Sequence, residues 1–244
     1  MEVKNILLTV IIIVLLYVLI GYISKDATTL SGITSAQTMQ KIEATSLASS
    51  SSSGGTSNFS YSIWFFIDDW NYRYGEPKVI FGRMTTGQSD KEPCPSVVLG
   101  PVQNNIIVSL AVYPGLDEQP EDGSNFIVHN CAIANVPIQR WTNLFVSVYG
   151  RALDIYLDGK LVRTCVLPGV SKIDANAPVY VTPMGGFSGW TARFQYWPES
   201  SDPQKAWNVY KAGYGASFLG NLFGKYTIKV SLMEGDTEDS SFSI

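Results

Sequence analysis

The chain has one histidine, His129, and three cysteines, Cys94, Cys131 and Cys165, in 244 residues. A serine triad could draw only on His129, and no G-x-S-x-G elbow exists for it to serve. A zinc site built on a single imidazole needs thiolates at short spacing, and these cysteines form no C-x-x-C. His129 therefore reads as a strand residue of FIVHNCAI with its ring toward solvent. Positive charge is also scarce. Lys and Arg number 17 against 21 Asp and Glu, the net charge is −4, and the basic residues are scattered singly. That pattern provides no footprint for nucleic acid, which is excluded as a partner, and it argues against adhesion to an anionic lipid surface. No metal and no cofactor are expected.

One feature that most globular chains lack is present. Residues 6–23, ILLTVIIIVLLYVLIGYI, run for 18 positions without a charge. At ~1.5 Å per helical residue the run is long enough to cross the hydrocarbon core of a bilayer. A cleaved signal peptide usually has a shorter apolar core and a small-x-small site, and Gly21-Tyr22-Ile23-Ser24 is a poor one. The reading is an uncleaved signal anchor in a single-pass membrane protein. Lys4 and the amino terminus bias the N-terminus toward the cytoplasmic side.

The composition then changes twice. Residues 26–58 are polar, with a weak helical stripe over 38–48 and the tract SSSSSGGTS at 49–57, and they read as a flexible tether of roughly 30 Å. From Phe59 onward come short runs rich in Val, Ile and aromatics, separated by Gly, Pro, Asn and Asp. Asp158-Gly159 is the dipeptide preferred by a type I′ turn, so the runs around it predict a hairpin with Leu153, Ile155 and Leu157 on one face. Asp202 as a cap and Pro203 at the first helical position predict one late helix ending at Gly213, with Trp207, Tyr210 and Lys211 covering the sheet. Residues 225–233 and 240–244 predict a final hairpin. The expected organisation is an anchor at 1–25, a tether at 26–58, a β domain at 59–218 and a hairpin at 219–244 packed on that domain. The fold class is all-β: a two-sheet antiparallel sandwich with one short late helix, behind a single transmembrane helix and a linker.

Three blocks carry a family resemblance. NFSYSIWFFIDDWNYRYGEPKVIFGR, PIQRWTNLFVSVYGRALDIYLDGKLVRT and GGFSGWTARFQYWPESSDPQKAWNVYKAGYG stand in the order of a LamG-like, concanavalin A-like jelly roll, which the chain resembles over about half of the domain. With its N-terminal anchor and the closing GKYTIKVSLMEGD, it resembles virion proteins of large nucleocytoplasmic DNA viruses. Members of such a superfamily bind glycans, bind proteins, cleave polysaccharides or act as spacers, so the fold alone does not assign a function. Glycanases on this fold carry alternating carboxylates along one strand, so that two acids flank the scissile bond. Here Asp154 and Asp158 are the nearest imitation, and Asp158 belongs to a turn. The resemblance therefore implies a non-enzymatic interaction protein, a minor virion component linking an internal membrane to neighbouring capsid proteins. A glycan-binding surface module is the alternative, and a polysaccharide hydrolase the least favoured.

Candidate residues follow from local chemistry. The cluster at 68–74 offers Asp68, Trp70, Tyr72 and Tyr74 to a glycan, since sugars stack on aromatic faces while carboxylates bind hydroxyls; the competing reading is that the aromatics pack on the sandwich edge. Asp117, Glu118, Glu121 and Asp122 read as a solvated acidic tip rather than a calcium loop. Asn58-Phe59-Ser60 is an N-glycosylation triplet, making Asn58 a candidate acceptor. Cys131 and Cys165 stand near strand ends and form the favoured disulfide, although all three pairings remain open.

Overall fold

In a computed structural model, two antiparallel sheets face each other across the apolar residues of the alternating runs. The structure describes residues 11–12, 15–16, 28–47, 57–84, 92–115, 120, 124–215, 229–234 and 237–243. The chain divides into two units, Thr28–Tyr214 and a second made of Met1–Ala27 with Gly215–Ile244.

Among the described residues, thirteen strands build the first unit: β1 (Thr29–Ser31), β2 (Thr34–Ser35), β3 (Gln40–Ile42), β4 (Phe59–Asp69), β5 (Lys78–Met84), β6 (Pro93–Leu99), β7 (Ile106–Val112), β8 (Ile127–Ile133), β9 (Trp141–Tyr149), β10 (Ala152–Leu157), β11 (Lys160–Val166), β12 (Val179–Val181) and β13 (Ser188–Trp197). One sheet runs β1-β13-β4-β9-β10-β11, with β2 also on β13; the other runs β3-β12-β5-β6-β7-β8. Alternation dictates the faces. Phe59, Tyr61, Ile63, Phe65 and Ile67 of β4 point inward beside Leu144, Val146 and Val148 of β9, opposite Val97, Val108 and Leu110 of the other sheet. Tyr61, Phe81 and Phe194 form the aromatic centre, with Phe81 and Phe194 edge to face at 5.1 Å.

Three sequence expectations are corrected here. The tether does not run from 26 to 58. Residues 28–47 add β1, β2 and β3 to the two sheets, and Ala36, Ile42 and Leu47 are buried in the core. The serine tract therefore lies between Leu47 and Phe59, two core residues; residues 48–56 lie outside the described ones. These strands escape a pattern search because each is only two or three residues long and draws its hydrogen bonds from β12 or β13. In place of the expected helix over 38–48 there is one 3₁₀ turn, Ala44–Ser46. His129 does not face solvent: it shares the face of Cys131 and Ile133 and is half-buried opposite Leu110.

The predicted hairpin is present. Leu153 and Ile155 are buried, and Asp158 (φ 50°) and Gly159 (φ 72°) make the turn in the left-handed region that type I′ demands. Helix α1 (Pro203–Ala212) begins where Asp202 accepts a hydrogen bond from the Lys205 amide at 2.7 Å, and it ends at Gly213, φ 77°. Its buried face is Ala206 and Val209, seated on Phe145 and Tyr156, rather than Trp207 and Lys211. Small side chains let the helix approach the sheet closely, while Trp207 and Tyr210 lie over the turn at Gly159. Tyr210 stacks on Trp64 at 5.7 Å and Tyr214 on Trp141 at 4.4 Å.

In the second unit, β14 (Lys229–Glu234) pairs antiparallel with β15 (Thr237–Ser243), close to the expected final hairpin. Among the described residues no helix is long and apolar enough to cross a membrane. The predicted anchor at 6–23 lies outside them, save for helical Ile11, Ile12, Leu15 and Leu16.

Cys131 and Cys165 are joined, Cα to Cα 6.2 Å, tying edge strand β8 of one sheet to edge strand β11 of the other. Cys94 is a buried free thiol whose pKa burial pushes up to about 12 despite the nearby Arg83 guanidinium, so it is inert at neutral pH. Arg83 is itself buried. It donates to the carbonyls of Ala177 and Ala175, both at 3.1 Å, and lies against the phenols of Tyr61 and Tyr196.

Candidate binding recess

The strand directions gather four segments at one end of the sandwich: residues 70–77 after β4, the β6–β7 turn at 100–105, the β8–β9 connection at 134–140, and the first half of β11. The β6–β7 turn is held tightly. The Gly100 amide donates to the Asn105 carbonyl at 2.9 Å, and the Asn105 amide to Gln103 at 2.8 Å. A Cβ at 100 would meet the Asn105 side chain and lie 2.9 Å from the Gln103 carbonyl, so the turn is tight around this glycine. Asn104 joins this turn to the next connection: its Nδ2 donates to the Val136 carbonyl at 3.3 Å, and its backbone carbonyl accepts from the Val136 amide at 2.9 Å.

Trp70 closes one side. Its indole N–H donates to the Val102 carbonyl at 3.3 Å, and the Lys78 ammonium sits 4.9 Å from the ring centroid. Lys78 is buried and its ammonium has no hydrogen-bond partner among the described residues; burial, with Arg73 nearby, lowers its pKa, and Asp69 and Glu76 only partly oppose this. Arg163 closes the opposite side. As the cross-strand partner of Ile155 it shares the core-facing side of β11, and it reaches past the open edge to donate to the Ala132 carbonyl of β8 at 2.6 Å. The disulfide two residues on from Arg163 fixes β11 at this distance from β8.

Between these groups lies a recess of about 580 Å³, within the range of small-molecule sites. Its lining residues include Trp70, Gln103, Asn104, Asn105, Asn135 and Arg163, with apolar Val102 and Ile138. Asn105 Oδ1 is buried without a partner among the described residues. Among the described residues no carboxylate lines it. Such a set can stack an apolar ring face and exchange hydrogen bonds with hydroxyls or an anion, but it holds no pair of acids to protonate a leaving group and activate a nucleophile.

Of the four sequence candidates, only Trp70 reaches this recess. The Tyr72 hydroxyl donates to the Gly185 carbonyl at 3.1 Å, Tyr74 is exposed, and Asp68 is exposed at the end of β4. The loop is instead pinned by its own bonds: Asp69 accepts from the Asn71 amide at 2.8 Å, and Arg73 pairs with Glu76 at 2.7 Å and contacts Met184. The amides and Arg163 were missed because they come from three distant segments; the doublet Asn104-Asn105 in a turn was the one local hint. Asn58 precedes β4 with its side-chain oxygen bound by the Gly150 amide at 2.8 Å, and Ser60 of the same triplet is fully buried. The acidic run at 117–122 lies outside the described residues apart from Pro120, and among the described residues no cluster of three metal-ligating side chains occurs.

No family model matches the chain, and no curated protein matches it. Solved structures do. A single-site mutant of HCR/D superposes with a TM-score of 0.52 at 10% identity, covering 76% of this chain and 43% of that one. The botulinum neurotoxin serotype G binding domain gives 0.46 at 14% identity, covering 63% and 36%. The binding domain of botulinum neurotoxin DC in complex with rat synaptotagmin II gives 0.48 at 14%, covering 64% and 35%. The class that the fold defines is a two-sheet antiparallel β-sandwich of jelly-roll type. The chain spans about two fifths of the length of the structures it matches, and at these identities the likeness is one of fold.

Proposed function

We propose that this chain is a non-catalytic carbohydrate-binding module carried on a single-pass membrane protein. The observation that carries the reading is the recess itself, lined by a tryptophan, four amide-bearing residues and an arginine, with no lining carboxylate among the described residues. Hydroxyl-rich ligands need hydrogen-bonding groups at several angles beside one flat apolar surface, and this combination is what the four segments bring together. The apolar run at 6–23 supports the anchor, with the N-terminus on the cytoplasmic side. Screening the full chain, in phosphatidylcholine nanodiscs, against a glycan array tests the assignment. Saturable binding to a defined set of glycans, lost on Trp70→Ala or Asn104→Ala with the fold intact, is expected. Absence of binding across the array would refute it.

A second reading, protein bridging between an internal membrane and a capsid, has one supporting observation: edge strand β11 exposes Leu161 and Val162, an apolar edge that another chain could extend. A flexible tether of roughly 30 Å does not support it, because residues 28–47 belong to the sheets. Crosslinking in intact particles that captures neighbouring structural proteins through β11 would favour it over glycan binding.

A further inference from the structure

The end of the sandwich opposite the recess exposes a group of large apolar side chains. Tyr149 is 69% exposed, Val166 71%, Tyr113 45% and Val170 43%. They belong together. The Tyr113 amide donates to the Val170 carbonyl at 2.9 Å, Ser171 beside it donates to the Ser57 carbonyl at 2.6 Å, Asn58 accepts from Gly150 next to Tyr149, and the Leu167 amide beside Val166 donates to the Arg151 carbonyl at 2.7 Å. Isolated apolar side chains on a surface need no explanation, but four on neighbouring turns at one tip do.

The chain path sets the direction from which the apolar run arrives. β13 runs from Ser188, opposite Asp69 at the recess end, to Trp197, opposite Ser60 at this lower end. β1 and β2 run against it, from Thr29 beside Gln195 to Ser35 beside Trp190. Thr28 therefore stands on the lower-end side of β1. Only Ser24 to Ala27 separate the apolar run from Thr28, a leash of at most about 17 Å when fully extended. Thr28 bonds Tyr196, which is level with Tyr61; Tyr149 lies roughly 10 Å below that level and the recess end roughly 26 Å above it, at ~3.3 Å per strand residue. A connection of that length can span the roughly 10 Å from Thr28 to the lower tip but not the roughly 26 Å to the recess end.

Resting on the membrane-anchor reading, we infer that Tyr113, Tyr149, Val166 and Val170 seat the lower end of the sandwich on the interface of a bilayer, which leaves the recess pointing away from it. Tyrosine suits this place because its ring is apolar and its hydroxyl stays hydrated at headgroup level. The surface is a zwitterionic one. Arg151 is exposed here, but Lys172 is paired with Glu92 at 3.0 Å, and the chain between Tyr113 and Ser124 carries Asp117, Glu118, Glu121 and Asp122, which an anionic surface would repel.

The test uses the full chain in phosphatidylcholine nanodiscs, with a bimane fluorophore at one of Tyr149→Cys, Val170→Cys or Asn104→Cys and a lipid-borne nitroxide quencher. Labels at 149 and 170 are expected to be quenched several-fold more than the label at 104, and adding Val166→Ser should weaken quenching at 149. Equal quenching at all three positions, as for a sandwich lying on its side, or stronger quenching at 104, would overturn the inference while leaving the anchor intact. A chain that does not co-elute with nanodiscs at all would instead remove the anchor reading, and this inference with it.

Discussion

Gly159→Ala is the most informative single substitution, because two independent physical terms meet at that residue. Gly159 has φ +72°, where an L residue is strained by about 1–2 kcal/mol. A Cβ there would also lie 2.9 Å from the Trp207 ring, 3.0 Å from Tyr210 Cβ and 3.2 Å from the Trp207 Cα. Two of those atoms are close to or within the helix backbone, so relief requires α1 to shift on the sheet, an overpacking cost of about 1–3 kcal/mol. Gly150 is the natural control: φ +57°, with nothing within 4 Å of where its Cβ would stand. Gly150→Ala should then cost about 1–2 kcal/mol and Gly159→Ala about 2–5 kcal/mol, less a similar gain of ~0.4–1 kcal/mol for each from the stiffer unfolded chain. With about 2–4 °C per kcal/mol for a domain of this size, the melting temperature should fall roughly three times as far for the second variant. Thermal and urea unfolding, followed by tryptophan fluorescence, measure both. Equal destabilisation at the two positions would show that α1 does not press on the turn, and the packing argument would be wrong.

Three further outcomes are expected. Arg83→Met should cost about 2–4 kcal/mol in urea unfolding, because it orphans the Ala175 and Ala177 carbonyls and the two phenols, and Arg83→Lys should restore little since an ammonium cannot span both carbonyls. Alkaline unfolding should begin near pH 10: burial raises the Tyr61 pKa above its ordinary value, so its contribution is complete below the unfolded pKa and is lost as pH rises, by ~1.4 kcal/mol per unit, with the share of tyrosinate absorbance that Tyr61→Phe removes appearing only on unfolding and the onset moving upward in that variant. Cys131→Ser with Cys165→Ser should cost about 3–4 kcal/mol for a closed loop of 34 residues and should weaken ligand binding in the recess, since Arg163 loses its fixed distance from β8; unchanged affinity would separate the disulfide from the site.

Much of the sandwich was legible in the chain. Period-two runs from Phe59 onward, the Asp158-Gly159 turn and the Asp202-Pro203 helix start each depend on a few adjacent residues, and adjacency is what a linear pattern records. The same reasoning failed where an element borrows its stability. β1, β2 and β3 have no pattern of their own and exist because β12 and β13 offer free edges. The helix face was misassigned because large aromatics looked like the packing surface, whereas close approach to the sheet selected Ala206 and Val209.

By itself the sequence determined the all-β class, the late helix, the apolar run at 6–23 and the want of paired acids or metal-ligand spacings, all of which are properties of composition and short-range order. Tertiary structure alone decided where the binding groups meet. Trp70, Asn104, Asn135 and Arg163 converge because two sheets place the ends of β4, β6 and β8 and the start of β11 at one edge, and a disulfide holds that edge together. Convergence of residues tens of positions apart depends on strand order and register, which no local pattern in the chain encodes.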